Sequence, residues 1–252
     1  MNREPLTSRQ QAILNRVVDI HIETAEPVGS NAITRLYTSL YKISYSPATV
    51  RHEMGVLEEK GYLTHPHTSA GRVPTDTGYR YYVDNGFADK IFPNDVFHTA
   101  TKDLLHSRRE NDFWIEKVSA ILSSLAEEIG LVVAPERFSL QGLARILEKP
   151  EFQDVQKIRT LLSTLDEKME LADWLQQNPA TGVSIKIGCE NEPAAFRDCT
   201  VIAAHYRVNE NKVGTVAILG PRRMRYSRAV PLVARMARFM EQFISHEGLH
   251  WS

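Results

Sequence analysis

Ser46-Pro47 at one end and Gly61 at the other bracket a single short helix, and this bracket constrains the N-terminal part of the chain more than any other feature. Ser is an N-cap that accepts a backbone N–H. Pro suits the first helical position, where its missing donor is not needed, and Gly closes a helix in the left-handed conformation. Inside the bracket, Val50, Met54 and Leu57 follow the i, i+4, i+7 spacing of one buried stripe, which turns Ala48, His52 and Gly55 outward with Thr49 and Arg51 on the flanks. Short and hydrogen-bonding side chains on such a face suit a helix that enters the major groove of DNA. The plainer reading makes Ser46 only a cap and gives Arg51 a neighbouring acid as its partner.

The flanking segments fill in an order of elements. Thr7-Ser8-Arg9-Gln10 has the form of a capping box, and Ile13, Leu14, Val17, Val18 and Ile20 continue as one apolar helix face until Glu26-Pro27 stops it. A second short helix starts at Ser30 as N-cap and carries Ile33, Leu36 and Tyr37 before a turn-rich stretch from Ser39 to Ser46. After Gly61, Tyr62 to His65 reads as a strand, Pro66 to Gly71 as a loop that Gly71 lets turn tightly, and Arg72-Val73-Pro74 as the return strand. Thr75 to Gly78 caps a further helix whose Tyr79, Tyr82 and Val83 close over the core. Three short helices followed by a hairpin is the winged-helix order. In the hairpin, Arg72 with His65 and His67 supplies candidate phosphate or minor-groove contacts. His65-Pro66-His67 is a poor metal site, because no Cys pair stands nearby and Pro separates the two histidines.

The rest of the chain reads as an α+β domain with an antiparallel sheet and flanking helices. Pro93 to Glu128 is expected to be helical and to connect the two halves, its wide apolar face packing on the second domain or on a partner's copy of itself. Leu131 to Ala134 reads as a buried strand, Leu140 to Leu147 as a short helix, and Ile158 to about Asn178 as one long amphipathic helix. Val183 to Ile187, Cys199 to Val208 and Val213 to Leu219 read as strands, the last two joined by a turn at Asn209 to Lys212; a final helix spans Tyr226 to Ile244. The basic stretch Gly220 to Tyr226 precedes that helix and reads as a solvated loop in preference to an anion site.

Composition narrows the function classes. The 30 Lys and Arg against 31 Asp and Glu give no global attraction to a polyanion, and residues 1–85 are balanced as well, so a phosphate-facing surface requires local segregation of Arg35, Lys42, Arg51 and Arg72 from the acids. Two cysteines, Cys189 and Cys199, are too few for a disulfide framework and are expected as core thiols. No apolar run approaches the roughly 18 residues that span a bilayer and no secretory signal is recognisable, so the expectation is a soluble, cytoplasmic chain. No Gly-x-Ser-x-Gly elbow, His-Glu-x-x-His, phosphate loop or Cys-x-x-Cys pair is present, so neither an enzyme nor a cofactor is expected.

Several of these segments together carry a resemblance. Glu26-Pro27-Val28-Gly29-Ser30, Ser46-Pro47-Ala48-Thr49-Val50-Arg51, Leu57-Glu58-Glu59-Lys60-Gly61-Tyr62-Leu63 and Pro66-His67-Thr68-Ser69-Ala70-Gly71-Arg72-Val73-Pro74-Thr75 resemble the HrcA heat-inducible transcription repressors. The likeness resumes at Phe138 to Asp154, Gly214 to Tyr226 and the last helix. It implies an α+β chain with an N-terminal winged helix-turn-helix over residues 1–88, followed over residues 89–252 by a connecting helix and a GAF-like domain with an antiparallel sheet. It further implies a homodimer that represses chaperone operons through an inverted-repeat operator in double-stranded DNA, with activity sustained by a GroEL-type chaperonin. The residues expected at the DNA are Ser46, Thr49, Arg51, His52, His67 and Arg72. A regulator that answers to a small molecule, or a protein-interaction module without chaperonin control, is the alternative.

Two departures stand out. The family carries a long middle stretch, including an inserted dimerising domain, between the equivalents of Ala134-Pro135-Glu136 and Phe138-Ser139-Leu140, which here are nearly adjacent. Pairing is therefore expected through the helix from Pro93 to Glu128 and the final helix. His52 stands where the family leads one to expect Asn on the outer face of the recognition helix.

Overall fold

The computed structural model describes residues 5–41, 45–66, 71–85, 91–106, 113–135, 137–177 and 182–247, and the chain divides into two compact units, Met1–Ala88 and Asp89–Ser252. In the first, helix α1 (Ser8–Thr24) begins with a capping box: Thr7 Oγ1 accepts from the Gln10 N–H at 3.3 Å, and Gln10 Oε1 accepts from the Thr7 N–H at 3.2 Å. Ile13, Leu14, Val17 and Val18 are buried along it, and Ala25 ends it in the left-handed region. Helix α2 (Ser30–Tyr41) runs past the point where the turn-rich composition placed its end, since no Gly or Pro interrupts it, and Ser30 is its first residue instead of its cap. Helix α3 (Pro47–Glu59) buries Val50, Met54 and Leu57, and Gly61 at φ 79 turns the chain out of it into the hairpin.

That hairpin is short. Strands β1 (Leu63–Thr64) and β2 (Val73–Pro74) pair antiparallel, and Val28 bridges Arg72 through backbone bonds of 2.8 and 3.0 Å in each direction. Helix α4 (Asp76–Asn85) closes the unit onto α1: Tyr82 donates its hydroxyl to Asp19 at 2.8 Å, and the Tyr79 hydroxyl meets His21 Nδ1 at 2.6 Å. Each bond satisfies the polar tip of a ring whose body lies in the core.

The second unit is built on a five-stranded antiparallel sheet, β3 (Ile129–Ala134), β4 (Arg137–Gln141), β5 (Val183–Ile187), β6 (Cys199–Arg207) and β7 (Val213–Pro221), in the order β4-β3-β7-β6-β5. Ile129, Leu131, Val133, Val201, Ala217 and Leu219 point to one face. There they pack under helices α7 (Leu143–Leu147), α8 (Val155–Asp166) and α9 (Lys168–Gln176) through Ile146, Leu161, Leu165, Leu171 and Leu175. Helices α6 (Trp114–Ala126) and α10 (Tyr226–Glu247) cover the other face, where Ser119 shares a 2.8 Å hydroxyl bond with Ser139 and Tyr226 a 2.9 Å one with Thr200. With helices on both sides, β3 is buried at every residue.

Four sequence expectations for the second unit change. Pro93 to Glu128 is two helices, α5 (Asn94–His106) and α6, and the apolar face of α6 lies on the chain's own sheet. Leu140 and Gln141 belong to β4, not to a helix. The long helix from Ile158 breaks at Glu167 into α8 and α9, leaving Met169 75% exposed; Leu161, Leu165, Ala172 and Leu175 stay in helical phase across the break and no Gly or Pro marks it. Cys199 is buried as expected, whereas Cys189 is exposed in a 3-10 turn, Gly188–Glu190.

Candidate nucleic-acid interface

The N-terminus of α3 assembles four of the expected residues. Ser46 caps it, accepting the Thr49 N–H at 3.1 Å, and the two hydroxyls share a 2.9 Å hydrogen bond, so Thr49 is tied to the cap. Arg51 and His52 are exposed on the outer side, and among the described residues neither has a hydrogen-bond or ion-pair partner. The plainer reading, in which a neighbouring acid engages Arg51, finds no such acid among the described residues.

Two of the three acids of α3 turn elsewhere. Glu53 takes Arg9 at 3.3 Å and Gln10 at 3.1 Å, both from α1, while the Arg9 guanidinium lies 5.3 Å from the ring centroid of Tyr45, just ahead of the cap. This set holds the start of α3 against α1. Glu58 is engaged by the hairpin: Arg72 Nε and Nη2 each reach its Oε2 at 2.9 Å, and His65 Nδ1 donates to its Oε1. Arg72, read from the sequence as a phosphate contact, is therefore half-buried in an ion pair, and a carboxylate oxygen that takes two of its N–H groups leaves others for a second acceptor. His67 lies outside the described residues. Sequence reasoning missed Glu53 and Glu58, whose partners stand 44 and 14 residues away in the chain; only the unusual density of acids on a supposed DNA-facing helix hinted that they were engaged.

Gly71 has a different reason from the tight turn expected of it. A Cβ there would lie 2.5 Å from the Val28 carbonyl carbon, so the residue lets the hairpin come against Val28 and form the bridge at Arg72. Among the described residues no group of three or more His, Cys, Asp or Glu is placed to hold a metal ion, and no helix is long and apolar enough to cross a membrane.

In the second unit, the basic stretch before α10 is an ion-paired knot and not a solvated loop. Arg222 reaches Asp198 at 3.2 Å, Arg223 pairs with Glu151, and Arg225 and Arg228 approach Glu127 at 3.5 and 3.6 Å. Beside it Lys149 donates to buried Glu128 at 2.9 Å; burial still pushes the Glu128 carboxyl up to about 7, against the opposing pull of Lys149 and Arg223.

Comparison with known proteins places these features in a lineage. The family described as HrcA protein C terminal domain matches residues 94–230. The heat-inducible transcription repressor HrcA of Shouchella clausii is 28% identical over 344 aligned positions, covering 92% of this chain and 96% of that protein. Its namesake from Desulforamulus reducens is 28% identical over 337 positions, covering 92% and 95%. Both alignments are longer than the 252 residues here, so each relative carries positions without a counterpart in this chain. A crystal structure of a hypothetical protein has the same fold, with a TM-score of 0.74 at 17% identity over 96% of this chain and all of that one. With the family matched over more than half of its residues, the chain belongs to the HrcA family.

Proposed function

We infer that the chain is a transcriptional repressor of heat-shock (chaperone) operons. Residues 1–88 act as a winged helix-turn-helix that reads DNA through α3 and the β1–β2 hairpin. The observation that carries this reading is the division of labour on α3: its apolar stripe is buried, its acids Glu53 and Glu58 are engaged by its own unit, and Arg51 and His52 stand exposed within two turns of the Ser46 cap. A helix presented in this way meets base edges near its N-terminus and phosphates at its flanks. The names of the two relatives support the same assignment.

Residues 89–252 serve as a GAF-like domain that pairs two copies on an inverted-repeat operator. The five-stranded antiparallel sheet with helices on both faces supports that architecture. Control by a GroEL-type chaperonin follows from the family resemblance, and in that scheme the chaperonin raises the fraction of chain competent to bind.

The test is footprinting of the full chain on duplex from upstream of its own chaperone genes, with salt titrated. A two-fold symmetric footprint that weakens as salt rises supports the reading. Absence of protection at low salt contradicts it.

A further inference from the structure

Taking an acid off a surface that binds a polyanion ordinarily strengthens binding, and Glu58 is placed so that the opposite follows. It lies on α3 seven residues beyond Arg51, about two turns along nearly the same side. Its carboxylate gathers the two side chains that flank the hairpin loop, His65 after β1 and Arg72 before β2.

The main chain of the hairpin does not depend on these bonds. Leu63 pairs with Pro74 and Thr64 with Val73, the Val28 bridge holds Arg72 from the other side, and Gly71 lies against Val28. The ion pair, whose side chains keep 23% and 25% exposure, is added to a main chain already paired on both sides. What remains for Glu58 to fix is the direction of the Arg72 guanidinium and the His65 ring. A long Arg stem has many rotamers, and a partner that selects one beforehand removes the ordering cost when an anion binds.

On the reading of α3 and the hairpin as the DNA-binding surface, we propose that Glu58 is a positioning residue. It holds the Arg72 guanidinium in the orientation in which the hairpin meets the phosphate backbone. The experiment compares the full chain with its Glu58→Gln, Arg72→Ala and doubly substituted variants, measuring affinity for operator and for random duplex across a salt series. Glu58→Gln weakens binding to both duplexes several-fold although it removes a negative charge, and its salt slope falls towards that of Arg72→Ala, which lies about one unit below the wild type. The double variant binds no more weakly than Arg72→Ala alone, because Glu58 acts through that residue. Unchanged or tighter binding by Glu58→Gln overturns the proposal. So does a double variant weaker than Arg72→Ala, the signature of a merely structural role. A wild-type chain that binds neither duplex at low salt removes the DNA-binding reading itself, and the proposal with it.

Discussion

Arg51 and Thr49, both expected at the DNA, differ in what their loss implies. Arg51 lies off the buried stripe, so Arg51→Ala leaves the melting curve in place and weakens operator binding by on the order of 1–3 kcal/mol if the residue reads a base. Thr49→Ala also removes a hydroxyl that bonds Ser46, so its loss of affinity comes with a small fall in helix stability. Gel-shift titrations paired with thermal melts separate the two; unchanged affinity for both variants takes α3 out of the groove.

Glu128 gives a prediction of a different kind. The folded state raises its carboxyl from an ordinary value of 4.5 to about 7, so the folded chain holds a proton that the unfolded chain releases. Its contribution to stability is greatest below the unfolded value and declines as pH rises from about 4.5 to about 7. Glu128→Gln, neutral throughout, loses that decline, and denaturant melts at about pH 5 and about pH 8 show a smaller difference than the wild type does. An identical pH dependence in the two proteins rules the assignment out. Neither Glu128 nor Glu58 was legible in the sequence: an acid's partner is chosen by the fold across many residues, and a one-dimensional pattern shows only that a charge is present.

Among the elements, those defined by local chemistry could be read directly. The capping box at Thr7, the Ser46-Pro47 start of α3 and the turn at Asn209 to Lys212 are short-range signals, and each stands where the residues place it. Elements defined by what packs against them could not. Trp114 to Ala126 showed a wide apolar face, and nothing in its pattern said whether a sheet of the same chain or a second copy would cover it. The structure lays α6 and α10 on the two-sided sheet, which removes their apolar faces as the pairing surface expected of them. Leu122 on α6 is 0% exposed, so Leu122→Ala costs on the order of 2–5 kcal/mol of stability in unit Asp89–Ser252, read by denaturant unfolding. A variant that unfolds normally and loses only self-association would return α6 to the role of a pairing helix. At the β3–β4 turn Ala134 pairs directly with Arg137, where the family resemblance puts the long middle stretch that this chain lacks.

For the molecule as a whole, the claim is that two units divide the work, residues 1–88 touching DNA and residues 89–252 holding two copies at one spacing. One winged helix reads few base pairs, and a second copy held at fixed spacing makes its binding effectively intramolecular. The most direct measurement is the affinity of the full chain and of a fragment of residues 1–88 for the intact inverted repeat and for a single half-site, at one salt concentration. The account predicts that the full chain binds the intact repeat far more tightly than the fragment does, and that halving the repeat costs the full chain much more than the fragment. Equal affinity of fragment and full chain for the intact repeat would show that residues 89–252 do not supply the pairing, and would contradict the account.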